Sequence, residues 1–153
     1  MTLEQVWECL CRVTAVTFVA RSATPKGWNG RGSGSVTLGR ERPGVITFTE
    51  AGSWQPDGGR PLRFRNIFRW SMIESKGQLR LEHLRFGVEH PVFLFDLAAS
   101  PDGEWQSVSP HLCREDCYSA RMSVQSDHLA LRWAVDGPSK QETIEYTYSW
   151  NET

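Results

Sequence analysis

The sequence lacks nearly everything that would announce a membrane, a nucleic acid or a cofactor. No apolar run approaches the roughly 20 residues that a membrane-crossing helix needs. Glu4 and Glu8 stand where a secretory leader would carry its basic and apolar segments, so a cytoplasmic setting is expected. Charge of one sign is missing too. The formal net charge is −1, which leaves no global field to gather polyanions, and neither a nucleic-acid partner nor a membrane span is expected. The chain has no Ser-His-Asp order, no paired catalytic carboxylates, no H-x-E deaminase element and no dinucleotide fingerprint. Accordingly no cofactor is expected and no residue is assigned a catalytic role. Cysteine is scarce, with four residues in two close pairs, Cys9/Cys11 and Cys113/Cys117, and no Cys-x-x-Cys. Reduced thiols follow from that pattern in a cytoplasmic setting.

What remains is ordinary globular composition. The 153 residues are 39% hydrophobic, enough for one domain spanning residues 1–153 with its own core. Seven tryptophans are many for this length and point to a core or cavity walled by large flat rings.

One helix is expected at the start, where Thr2 and Gln5 fit a capping box and Leu3, Val6, Trp7 and Leu10 form one apolar face. From Val13 onward the chain reads as short β-branched strands punctuated by turns. TPKGWNGRGSG is a glycine-rich break. RERPG, WQPDGGRP, ESKG, PDGE and DGPS are turns. Alternation is clearest in LRFRNIFRWSM. Leu62, Phe64, Asn66, Phe68, Trp70 and Met72 share one face, while Arg63, Arg65 and Arg69 share the other with Ile67. Burial favours the aromatic face, so the arginines should point outward and pair with Glu82 or other neighbours. Asn66 is then an amide on an apolar face, in need of partners. The pattern predicts an all-β protein, an antiparallel up-and-down barrel of about eight to ten strands with a short N-terminal helix. A sandwich is the competing architecture.

HLCREDCY, residues 111–118, is the densest reactive window. As a metal site it supplies at most three soft ligands, His111, Cys113 and Cys117, and His83, His90 and His128 lack paired spacing, so no metal is assigned. As a catalytic thiol site it would need His111 beside an exposed Cys113. The alternative is an inert Cys113 in the barrel wall, with Asp116 fixing a turn and Tyr118 facing inward. The loop around Trp28 lacks a phosphate-loop pattern and reads as a flap at a barrel mouth, with Trp28 as a lid.

Three landmarks also carry a resemblance. HLCREDCY fits H-L-C-x-x-D-x-Y, WAVDGPSK fits W-x-V-x-G-P-x-K, and FLFDL supplies a shorter F-D-L element. In this order they resemble a small bacterial family known only as a domain of unknown function and related to the calycins, the group of lipocalins and fatty-acid-binding proteins. The family's pattern falls on His111, Cys113, Asp116, Tyr118, Trp133, Gly137, Pro138 and Lys140. Phe93 stands here where relatives carry a histidine, and Gln141 where they carry an aromatic. The resemblance implies a calycin-like barrel and no particular activity.

Together these features favour a barrel that binds a small hydrophobic or amphipathic molecule carrying one polar or anionic group. His111, Tyr118 and Lys140 would orient it. Phe68, Trp70 and Trp133 would line the pocket, with Asn66 and Cys113 beside them. The alternatives are an enzyme on the same scaffold, an isomerase, lyase or cofactor-attachment catalyst using His111 with Cys113 or Tyr118, and a protein-interaction module such as a homodimer.

Overall fold

The computed structural model describes residues 1–24, 27–108, 111–113, 116–138 and 140–151, with only the backbone described for residues 111–113 and 116. A helix, α1 (Leu3–Leu10), opens the chain. The Thr2 hydroxyl accepts the Gln5 N–H at 3.2 Å, and the Gln5 side-chain oxygen accepts the Thr2 N–H at 2.8 Å, so the expected capping box is formed. Val6 and Leu10 are fully buried. So short a helix is stable because that apolar face is packed against the barrel core.

Eleven strands follow, all antiparallel to their neighbours: β1 (Ala15–Ser22), β2 (Gly30–Arg42), β3 (Val45–Pro56), β4 (Leu62–Ile73), β5 (Gln78–His83), β6 (Val92–Ala99), β7 (Trp105–Ser107), β8 (His111–Cys113), β9 (Asp116–Val124), β10 (His128–Asp136) and β11 (Gln141–Ser149). β11 pairs back onto β1, from Ala15 opposite Ser149 to Ser22 opposite Glu142, and closes the sheet. Ten strands complete the ring. The eleventh, β8, runs along the same edge of β9 as β7. β7 takes Met122 and Arg121, and β8 takes Tyr118 to Asp116. The expected up-and-down barrel is therefore the observed fold.

Strand alternation sorts the side chains as the sequence suggested. Phe48, Phe68, Trp70, Leu79, Leu97 and Leu131 point inward and are buried. On the outer face of β4, Arg63 and Arg65 are exposed, while Arg69 donates to Glu82 at 3.0 Å across the β4–β5 pair. The neighbouring Arg80 holds Asp96 with two hydrogen bonds of 2.9 and 3.1 Å.

The glycine-rich break is shorter than the sequence reading, because β2 already starts at Gly30. Gly34 and Gly52 lie opposite each other on β2 and β3. A Cβ on Gly34 would come within 2.2 Å of the Ala51 carbonyl oxygen, and one on Gly52 within 2.0 Å of the Ser33 carbonyl oxygen. The two backbones can cross this closely only without side chains, as at a tight barrel corner. Gly32 makes room in a different way, since the Phe18 ring occupies the space its Cβ would need.

The two ends of the barrel differ. α1 lies where β1 begins and β11 finishes. Arg40 near the end of β2 reaches Cys11 Sγ there at 3.7 Å, and the Arg12 guanidinium sits 5.3 Å over the Trp150 ring. The opposite end gathers residues 23–24, 27–29, 57–61, 84–91 and 137–138 with 140, and the paired strands β8 and β9. No helix among the described residues is long and apolar enough to cross a membrane.

Candidate functional site

At the end away from α1 the barrel carries an open pocket. A cavity of about 690 Å³ opens between the last residues of β1 and β3, the first residues of β4, and β11. Its walls are aromatic: Phe18, Trp28, Trp54, Phe64 and Tyr146 all line it. The volume falls within the range of small-molecule sites, and so does the balance of apolar wall and few polar groups. Another depression, about 720 Å³, runs over the outer wall between Ala51, Ser53, Arg63 and Arg65. It lies mainly between outward-pointing residues and has no interior.

The aromatic wall extends downward as a stack. Trp28 leans on Trp54 at 6.2 Å, and Trp54 lies parallel to Phe18 at 5.5 Å. Phe18 meets Tyr146 at 5.5 Å, and Tyr146 lies parallel to Tyr148 at 5.6 Å, inside the filled part of the barrel. Trp28 is 66% exposed at the lip of the cavity. The polar side chains on the lining are Asn66 and Arg63 from β4, Asn29, which accepts the Ser22 N–H at 3.0 Å, and Asp57, 3.5 Å from Arg21.

Beneath this cavity lies a group the sequence reading did not single out. Glu50 on β3 has no exposed surface, and it sits opposite Asn66 in the β3–β4 register. Its Oε2 accepts the Tyr148 hydroxyl at 2.6 Å, while its Oε1 has no partner among the described residues. Burial raises its pKa from 4.5 to about 7, opposed by the hydrogen bond from Tyr148. Near neutral pH the carboxyl is therefore divided between its two protonation states. Burial, with the Glu50 charge adding to it, pushes both Tyr146 and Tyr148 well above the usual phenol range. His83 stacks on Phe68 at 4.6 Å, and burial lowers its pKa, helped by Arg85. The signal for Glu50 was legible in VITFTE, where alternation puts it on the face of Ile46 and Phe48.

Of the candidate ligand-binding residues, Asn66 lines the cavity. Trp133 stands behind its wall, parallel to Tyr146 at 6.2 Å, with its N–H favouring the ionised form of that hydroxyl. Phe68 is buried against Tyr146 and His83 rather than on the wall. Trp70 is fully buried beside Phe48, and its indole N–H has no partner among the described residues. Tyr118 is partly buried on β9, opposite Val135 of β10. Lys140 is exposed in the β10–β11 turn, where its carbonyl accepts the Gly137 N–H at 2.8 Å. The side chains of His111, Cys113 and Asp116 lie outside the described residues. Their backbone forms the β8–β9 hairpin, which puts His111 opposite Tyr118. Cys9, Cys11 and Cys117 are free thiols, and the described residues contain no group of three or more metal-ligating side chains.

A barrel with one open aromatic mouth narrows the fold but not the family. The model of a family of unknown function, DUF6314, matches residues 17–150, from the first strand to the residue after the last. The chain belongs to the DUF6314 family. The match spans the whole barrel and leaves out α1, so the DUF6314 region and the closed sheet coincide. No curated protein matches the chain.

Proposed function

We propose that this DUF6314 protein is a calycin-like carrier whose barrel mouth binds a small, largely apolar molecule bearing one polar group. The observation that carries the reading is the 690 Å³ cavity, walled by five aromatic rings and holding few polar side chains. Flat rings at low conformational cost suit an apolar body. Asn66 on the wall offers the polar contact, and the buried Glu50 stands opposite it in register, off the cavity lining. Tyr118 and Lys140 belong to a strand and a turn at the same end, and the backbone of His111 pairs opposite Tyr118. They would meet a ligand's outer portion. Phe68 and Trp133 would support the wall through Tyr146. An enzyme built on His111 with Cys113 or Tyr118 rests on two side chains outside the described residues.

Native mass spectrometry of the protein purified from its own host tests the carrier reading. The expected spectrum shows the chain with an added small mass, lost on unfolding. The bare chain mass alone, together with unchanged tryptophan fluorescence on titration with apolar probes, would overturn it.

A further inference from the structure

Exposed apolar side chains are not spread evenly over this molecule. Among the described residues six large hydrophobic side chains are more than half exposed; Trp28, Leu62, Phe86 and Val88 stand on turns or a strand start at the open end, and Val108 follows β7 with its N–H on the Asp96 carbonyl, midway along β6. The sixth, Met1, precedes α1 at the other end. Those at the open end come from separate segments around the mouth rather than from one flat patch. Phe86 is the best defined of them. Leu84 anchors its loop in the core, and the Arg85 guanidinium sits 4.9 Å over the Phe86 ring, so a cation and an aromatic project together.

Charge is divided in the same way. At the α1 end Glu4, Glu8, Glu41, Glu74, Asp102, Glu104 and Asp127 stand with five cations, Arg12, Arg40, Arg42, Lys76 and Arg121, the last engaged by both Asp102 at 2.7 Å and Glu104 at 3.1 Å. At the open end Arg60, Arg63, Arg85 and Lys140 have no ion pair among the described residues. Asp57 there is taken by Arg21, and Glu89, Asp136 and Glu142 are the opposing acids. Acids are in the majority at the α1 end and cations at the open end, a modest difference within a net charge of −1.

We propose that the open rim docks on an anionic lipid surface, its apolar tips entering the interface and its arginines meeting the headgroups. Scattered apolar side chains on separate loops suit a soft, laterally mobile surface better than a rigid protein face, and long cationic side chains beside them can reach headgroup phosphates. On the outer wall Arg69 and Arg80 are held by Glu82 and Asp96, while Arg65 is exposed without an ion pair among the described residues. The cavity mouth then faces the bilayer, the natural reservoir of an apolar ligand. Rim docking stands whether or not the cavity is loaded.

Co-sedimentation of the full chain with vesicles tests it, using phosphatidylcholine mixed with about one-third phosphatidylserine, against phosphatidylcholine alone. Wild type is expected to partition onto the mixed vesicles more than onto the neutral ones, and less at high salt. A Phe86→Asp/Val88→Asp variant, neither residue lining the cavity, is expected to lose about tenfold or more in partitioning, while Met1→Asp loses nothing. Circular dichroism checks that each variant is folded, and Phe86→Ser carries the same test if the double variant is not. No partitioning of wild type, or equal partitioning of wild type and rim variant, overturns the proposal. So does a dimer, seen by light scattering without vesicles and abolished by the rim variant, if lipid binding is absent. Ligand retention is read separately by native mass spectrometry, so either reading can fail alone.

Discussion

Tyr148 and Glu50, 98 residues apart in sequence, share a 2.6 Å hydrogen bond inside the barrel. The phenol is the only partner of a carboxyl with no exposed surface, among the described residues. The bond spans the barrel from β11 to β3 and joins the filled core to the floor of the open end.

That carboxyl should make stability depend on pH. Its folded pKa of about 7 lies above the ordinary 4.5, so the folded state holds the proton more tightly than the unfolded one. The contribution is fully present below about pH 4.5, falls as pH rises between the two values, and is gone above about pH 7. The loss is on the order of 3 kcal/mol. Glu50→Gln should flatten that slope in denaturant titrations at a series of pH values. A slope unchanged in the variant would place the pH dependence elsewhere.

Tyr148→Phe removes the one donor and leaves both carboxyl oxygens of Glu50 buried without a partner. A cost of about 1–3 kcal/mol in thermal or urea unfolding is expected near neutral pH. Because the hydrogen bond holds the Glu50 pKa down, the pH midpoint should also move upward. A purely volumetric role for Tyr148 would leave that midpoint in place.

Gly52→Ala puts a methyl group against the backbone of β2, where no side chain can swing away. The expected loss is about 3 kcal/mol or more, with lowered solubility if the strands part. Gly32→Ala meets the Phe18 ring instead, so Phe18→Leu should recover part of its loss. Thermal melts of the two single variants and the Gly32/Phe18 pair separate a backbone clash from a side-chain one.

Trp54→Ala should weaken binding of apolar probes by about tenfold, since a large cavity-wall ring is removed. Stability should suffer less than after a core truncation, because Trp54 is partly exposed. Fluorescence titration of wild type and variant provides the comparison. Equal affinities would mean that the probes bind outside the mouth.

The barrel was legible in the sequence because its signals are local. Alternation along LRFRNIFRWSM assigns both faces of β4, and the spacing of turns gives the meander. The capping box at Thr2 and Gln5 was equally local. Glu50 could be read from its strand as inward, but its meaning depends on Tyr148, and no short-range pattern links them. The cavity posed the same difficulty. Trp54, Phe18 and Tyr146 lie on three strands, and only closure of the sheet makes them one wall. Phe68 and Trp70 share the face of Asn66 but lie deeper, toward α1. Alternation distinguishes inward from outward and carries no information on depth. Residues 111–113 and 116–118 pair as β8 and β9 near the open end, a placement that composition could not supply.

Closure has a kinetic side. The seam pairs β1 with β11, so the earliest strand finds its second neighbour only after the latest has been synthesised. Such long-range pairing requires a large loop to close before any contact compensates for it, and folding of this topology is correspondingly slow. Until then the edges of β1 and of the growing sheet stay unpaired, and the nascent chain depends on protection from other strands.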